Sequence, residues 1–325
     1  MKIGIIRIDR MGDMILTLPI IKAIKSLDSS VKINVFASSK NEKVIKNFKY
    51  IDKIININHN KNFNDEKYDL ILNFSPGWKS FFICLFSKSL KKGNIIFTSR
   101  YKNNSFSKIL ILILSKIFFQ KTLLINRIKK FKNKENFHQT QVMFDLLNMF
   151  NFSFKKNIEI ESYFKKNKIV KSKKNICLLH LSSKWINNYY TENDFLNLLE
   201  KLEQKFNLIL TSDHTTKTIF KMIFNKFQII DNENFNNFDK IYETTIFDNL
   251  NFENWTQTIL LSNLVITPEC GCTHMAALCK IPSKIIYDPN NKPHMIYSEY
   301  SPYKSKHEKY NFNDKNLNMM LCQNL

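Results

Sequence analysis

The chain has 325 residues, 44% of them hydrophobic, which is enough to build two ordinary domains each with its own core. Its formal net charge of +21 is lopsided: residues 1–170 hold 32 Lys/Arg against 12 Asp/Glu, and residues 171–325 hold 17 against 16. Six scattered cysteines follow no signal-peptide-like segment, and no apolar run reaches about 18 residues uninterrupted, so a reduced cytoplasmic protein without a transmembrane helix is expected.

Residues 3–8 form an apolar run broken by Arg7. They predict a strand that leads through Asp9-Arg10-Met11-Gly12-Asp13 into a helix over 14–27. Strand, glycine turn and helix together aim backbone N–H groups and side chains at a ligand. Only Gly12 is present, so the G-x-G-x-x-G dinucleotide fingerprint is missing, which counts against a nicotinamide dehydrogenase. Asp13 falls at or just before the helix start, where it can cap the helix or deprotonate an attacking hydroxyl. Arg7 and Arg10 can bind an anion or solvate the surface. Thr17 lies on the following helix, where Pro19 marks a late start or a kink.

Further strands are predicted at 31–37, 51–57, 68–74 and 95–98, separated by helical stretches, which argues for a mostly parallel sheet covered by helices. Residues 78–90 and 106–119 are unusually apolar and read as buried helices. The alternative is a membrane-facing amphipathic helix, with Lys102, Lys121, Arg127, Lys129 and Lys130 nearby. The basic half fits a polyanion or an anionic membrane, although compositional drift in a Lys- and Asn-rich chain gives the same imbalance.

Residues 157–175 are charged and aperiodic and read as a linker. Strands follow at 176–181, 208–211 and 228–231, with helices at 192–206 and 255–262. After the first of these strands, Ser182, Ser183 and Lys184 suit phosphate oxygens or a solvated turn. A second glycine turn, Pro268-Glu269-Cys270-Gly271-Cys272-Thr273-His274, lies between apolar runs at 264–267 and 284–287. Its N–H groups can hold a diphosphate while Glu269 accepts hydrogen bonds from a sugar hydroxyl. Cys270, Cys272, His274 and Cys279 are spaced too tightly for an ordinary structural zinc motif, and no metal is expected. The loop 288–294 has no role readable from spacing.

The run Arg7-Ile8-Asp9-Arg10-Met11-Gly12-Asp13-Met14-Ile15-Leu16-Thr17-Leu18-Pro19 resembles the amino-terminal signature of the ADP-heptose:lipopolysaccharide heptosyltransferases, glycosyltransferase family nine. Glu269-Cys270-Gly271-Cys272-Thr273-His274-Met275-Ala276-Ala277 resembles its carboxy-terminal signature, which usually begins with Asp. The resemblance implies an α/β chain with the GT-B fold, two facing Rossmann-like domains with a cleft between them. The first, 1–165, would bind the acceptor, and the second, 166–325, the nucleotide sugar. It also implies inverting, metal-independent transfer without a further cofactor. In that scheme Asp13 is the general base, Arg7, Arg10, Gly12 and Thr17 are acceptor- or anion-binding, and Ser182, Ser183, Lys184, Glu269, Gly271, Cys272, Thr273 and His274 bind the donor. The family's phosphate-binding lysine is replaced by Asn187, which leaves Lys184 as substitute and a catalytically degenerate scaffold as an alternative. The implied partners are ADP-heptose and a phosphorylated glycolipid at the inner face of the cytoplasmic membrane. A nucleic-acid-binding module is the rival reading of the basic half, but no recognition module accompanies the charge.

Overall fold

Runs of Ile, Val, Leu and Phe become parallel strands buried on both faces, as their lack of strict alternation requires. In the computed structural model, residues 1–59, 66–101, 105–133, 135, 137–154, 158–186, 189–213, 215–290 and 296–323 are described. The chain divides into two units, Met1–Ile160 with Lys292–Ser301, and Glu161–Asn291 with Pro302–Leu325.

The sheet of the first unit comprises β1 (Lys2–Ile6), β2 (Lys32–Ala37), β3 (Lys53–Asn56), β4 (Tyr68–Asn73), β5 (Ser89–Phe97) and β6 (Lys121–Ile125). All pairs are parallel and the order is β3-β2-β1-β4-β5-β6. The chain moves outward from β1 through β2 to β3, then crosses back to β4 on the other side of β1. Ligands of open parallel sheets bind beyond the carboxyl ends of the strands at such a reversal. Gly93 in β5 is dictated by packing: a Cβ there would lie 2.7 Å from the Phe150 ring.

The predicted helix over 14–27 is two helices, Met11–Ile15 and Leu18–Leu27, with Pro19 in the first turn of the second, where its missing N–H is harmless. The stretch 106–119 is helical (Ser105–Phe118), but the expectation that it is buried is corrected. Only Ile111 and Ser115 are buried on it. Of the charged positions beside it, Lys102 lies outside the described residues. The segment ending at Ser301 joins the first unit through buried Glu299, which pairs with Arg127 and accepts a hydrogen bond from Gln139 Nε2 at 2.6 Å.

The second unit carries a short pair, β7 (Lys171–Ser172) with β11 (Lys240–Ile241), and a larger parallel sheet. The larger sheet contains β8 (Ile176–His180), β9 (Asn207–Ser212), β10 (Gln228–Ile230), β12 (Thr245–Asp248), β13 (Leu264–Pro268), β14 (Ser283–Tyr287) and β15 (His307–Asn311). Its order is β10-β12-β9-β8-β13-β14-β15, so the reversal lies between β8 and β13. Thr191 and Asp194 form a reciprocal capping box at the start of the helix Glu192–Glu203, worth about 1 kcal/mol. That helix buries Phe195, Leu198, Leu199 and Leu202 against Trp185 and β8–β9. Lys284 is wholly buried in β14 and donates to the carbonyls of Met320 (2.8 Å) and Gln323 (2.6 Å), closing the last turn of the helix Leu317–Leu321.

Candidate active-site loops

The first glycine-containing turn leaves the carboxyl end of β1, at the reversal point of its sheet. Arg7 follows β1 directly and is 1% exposed. Its Nη1 donates to the Phe74 carbonyl beyond β4 and its Nε to the Asp13 carbonyl at 3.2 Å. Nη2 donates to Asp13 Oδ1 at 2.8 Å, and Asp9 Oδ2 stands 3.7 Å from Nη1. A buried guanidinium needs this many acceptors, since an unpaired buried charge costs several kcal/mol. Arg7 therefore holds Asp13 and does not present its own charge to solvent. Asp13 sits inside the first turn of its helix, whose N-cap is Arg10, and it makes no cap hydrogen bond. One oxygen is fixed by Arg7. Among the described residues the other, Oδ2, has no protein partner, and the side chain keeps 16% exposure.

The remaining residues of the first signature divide. Arg10 is exposed at the start of the helix. Gly12 is buried. Thr17 is fully buried and donates to the Asp13 carbonyl at 2.9 Å, with Met143 Sδ 3.5 Å away. The expectation that Thr17 touches an acceptor is corrected by that burial: its hydroxyl braces the junction of the two helices. Supporting groups that the sequence reading missed come from the ends of neighbouring strands. Buried Asn41 donates from Nδ2 to the Arg7 carbonyl at 3.0 Å and the Asp9 carbonyl at 3.3 Å. Ser75 Oγ accepts from Ile8 N at 2.8 Å. Tyr300 lies electrostatically close to Asp13, and burial pushes its phenol well above the usual range. Polar residues just past strand ends are the signal by which Asn41 and Ser75 can be found.

In the second unit the loops after β8 and β13 meet at the reversal point of their sheet. Lys184 Nζ donates to Glu269 Oε2 at 2.9 Å and also to the Glu269 carbonyl. The lysine side chain is 42% exposed. Ser182 Oγ accepts from Lys184 N at 3.3 Å, and Ser183 is exposed. Trp185 anchors this loop, wholly buried, with its indole N–H on the His180 carbonyl at 3.0 Å. Gly271 is the first residue of the helix Gly271–Leu278, and a Cβ built there meets nothing within 4 Å. Open space against the first turn of a helix is where a diphosphate can approach N–H groups closely.

Three expected donor-binding side chains are buried away from that space, which corrects the expectation that they contact the donor. Cys272 is buried and its thiol pushed well up by burial. Thr273 is fully buried and its hydroxyl accepts from Cys270 N at 3.3 Å as a helix cap. His274 is buried at 3% exposure. What this turn leaves open is the backbone at Gly271 and the partly exposed Glu269 carboxylate. Asn187, where the resemblance expects a lysine, lies outside the described residues, as does the 291–294 part of the loop after β14. Among the described residues no group of three or more His, Cys, Asp or Glu is placed to hold a metal ion, and no helix is long and apolar enough to cross a membrane.

No family model and no curated protein matches the chain. Solved structures do. The E. coli heptosyltransferase WaaC with ADP is similar over 99% of this chain and 98% of its own, with a TM-score of 0.71 at 12% identity. A glycosyl transferase family 9 protein from Veillonella parvula is similar over 95% and 85%, with a TM-score of 0.65 at 14% identity. E. coli ADP-heptose lps heptosyltransferase II covers 95% and 90%, with a TM-score of 0.64 at 11% identity. At such identities the likeness establishes the fold: two parallel α/β lobes of the GT-B type, as in glycosyltransferases that include heptosyltransferases.

Proposed function

We propose that this protein is an inverting, metal-independent glycosyltransferase. It would move a heptose-like sugar, carried as ADP-heptose, to an acceptor of the lipopolysaccharide inner core. The observation that carries the reading is the Arg7–Asp13 pair at the reversal point of the first sheet. One carboxylate oxygen is immobilised by a buried guanidinium and the other is left open. That is the arrangement a general base needs, because its orientation is set before the substrate arrives.

In this reaction Asp13 Oδ2 takes the proton of an acceptor hydroxyl as the hydroxyl oxygen attacks the anomeric carbon of the donor. The bond from that carbon to the diphosphate oxygen breaks, and its electron pair leaves with the nucleoside diphosphate. Attack opposite the leaving group inverts the centre. Lys184, Ser182, Ser183 and the first-turn N–H groups at Gly271 stabilise the charge on the departing diphosphate. Glu269 accepts from a sugar hydroxyl once Lys184 turns to phosphate. The first unit takes the acceptor, with Arg10 as its exposed anion contact, and the second takes the donor. The place of work is the cytoplasmic face of the inner membrane.

Thermal-shift measurement against ADP-, UDP-, GDP- and CMP-sugars tests the donor. Selective stabilisation by ADP species is expected, about 2.7 kcal/mol at a hundredfold excess over Kd. A flat response to all four, with salt-sensitive RNA retention instead, would replace this reading with a nucleic-acid-binding one. The mutual pairing of Lys184 and Glu269 favours a second reading, a degenerate scaffold that no longer binds donor. A transfer assay with ADP-heptose separates the two.

A further inference from the structure

The helix Ser105–Phe118 is oriented inside out. Its buried side is narrow, Ile111 and Ser115. Its outward side carries Phe106, Ile109, Leu110, Ile113 and Ile117, with Phe106 75% and Ile117 65% exposed. The spacing i, i+3, i+4, i+7, i+11 makes these five one continuous apolar stripe over about three turns. The helix Trp78–Phe86 packs on the same core cluster, through Phe81 against Phe119 (ring centroids 5.0 Å). It adds Phe82 and Phe86, which stack on each other 6.0 Å apart, and Leu90 at the start of β5 is exposed as well. Large exposed apolar patches on a soluble domain mark a surface that is covered in use.

Charge identifies the cover. Residues 70–134 contain 14 Lys/Arg and not one Asp or Glu. Lys108 and Lys116 lie on the helix itself, Lys79 and Lys88 flank Phe82 and Phe86, Lys91 follows Leu90, and Lys121 opens β6 near exposed Leu124. All six are exposed, and none makes an ion pair among the described residues. A protein partner or a second copy of this chain would set this basic rim against its own identical rim or require an acidic groove. An anionic bilayer instead offers hydrocarbon to the stripe and phosphate to the lysines at one flat surface.

We infer that the Ser105–Phe118 and Trp78–Phe86 face of the first unit is a docking surface for an anionic phospholipid bilayer. The helix lies in the plane of the interface with Phe106, Ile109, Ile113 and Ile117 among the acyl chains. This is independent of donor chemistry and deepens the proposed membrane-side function by naming the surface.

The test is sedimentation of the full chain with phosphatidylcholine vesicles and with phosphatidylcholine vesicles containing 30% phosphatidylglycerol, both without glycolipid or nucleotide. Binding to the anionic vesicles at least tenfold tighter than to the neutral ones is expected, falling as salt rises. The triple variant Phe106→Ser, Ile113→Ser, Ile117→Ser alters only exposed positions and should lose binding by tenfold or more with an unchanged far-UV spectrum. Lys108→Gln with Lys116→Gln should weaken binding about tenfold and flatten the salt dependence. Absence of anionic-vesicle binding, or binding indifferent to the triple variant, overturns the proposal. So does a concentration-dependent dimer that the triple variant dissociates. Asp13→Asn must bind vesicles normally, so a failed transfer assay and a failed docking surface remain separate results.

Discussion

The two sheet reversals carry ion pairs of opposite construction. In the first unit the cation, Arg7, is buried and fully engaged, and the carboxylate of Asp13 looks outward. In the second the cation, Lys184, is itself partly exposed, and both partners can be rehydrated. A buried guanidinium released from its acceptors has nowhere to go, so the first pair is a fixture. An exposed pair is worth about 0–1 kcal/mol and can be exchanged for a ligand's charge at little cost. On the proposed function, the contrast separates a position held still for proton transfer from one that lets a substrate in and out.

The sharpest way to break that contrast is Asp13→Asn. The amide oxygen can still accept from Arg7, but the group no longer takes a proton at working pH. Turnover is expected to fall about 10²–10⁴-fold while the Kd for the nucleotide sugar stays within a few-fold. Single-turnover transfer beside calorimetric donor binding reads both, and near-normal turnover would remove Asp13 as the base. Next in size is Arg7→Met, which leaves the Phe74 carbonyl and the Asp13 carboxylate without their donor. Urea unfolding should show a loss of about 3–5 kcal/mol. Lys184→Ala measured identically should lose under about 1 kcal/mol. Equal losses would show that the two pairs are not different in kind.

How much of this was legible in the sequence depends on what each residue answers to. Buried strands such as β1, β2, β9 and β13 were readable because apolar runs fix them whatever their neighbours. β6 and β15 were not: K-T-L-L-I is only partly buried and H-E-K-Y-N is polar, and each is an edge strand held by one neighbour's ladder. The reversal-point loops were readable as polar punctuation after strands, but the direction of each side chain was not. Arg7, Thr17, Cys272, Thr273 and His274 all turn inward because the helices that follow pack tightly on their sheets. Nor was Lys284 legible, whose buried ammonium holds three carbonyls. The helix Ser105–Phe118 misled most, since apolar periodicity marks a face without saying whether protein covers it.

The exchangeable pair yields a subtler prediction. Lys184→Ala should weaken binding of a nucleoside diphosphate by about tenfold or more with stability nearly unchanged, because a charge-assisted contact to phosphate is lost. Glu269→Gln should separate the roles of its carboxylate: it releases Lys184, so affinity for the bare diphosphate rises a few-fold. Affinity for the sugar nucleotide should fall if Glu269 also accepts from the sugar. A rise for both ligands would leave Glu269 as a competitor for the lysine and nothing more.

The smallest expected effect comes from His180, at the end of β8 beneath this loop, whose Nδ1 meets Thr211 Oγ1 at 3.0 Å. Burial pushes its pKa down to about 4, against 6.5 unperturbed, with Asp213 opposing weakly. Between these values the unfolded chain binds a proton that the folded chain refuses, so stability falls as pH drops from 6.5 toward 4 and then levels. The side chain keeps some exposure, so the loss should be of order 1 kcal/mol, well under the full linkage value. His180→Gln keeps a hydrogen-bonding group toward Thr211 and has nothing to titrate there. Urea midpoints at pH 7.5 and 4.5 should therefore converge more closely in the variant than in the parent. An unchanged difference would remove His180 as its source; Glu66, which Lys2 and Lys53 hold down at about 2, cannot supply it, because it loses its contribution only as pH falls from about 4.5 through 2.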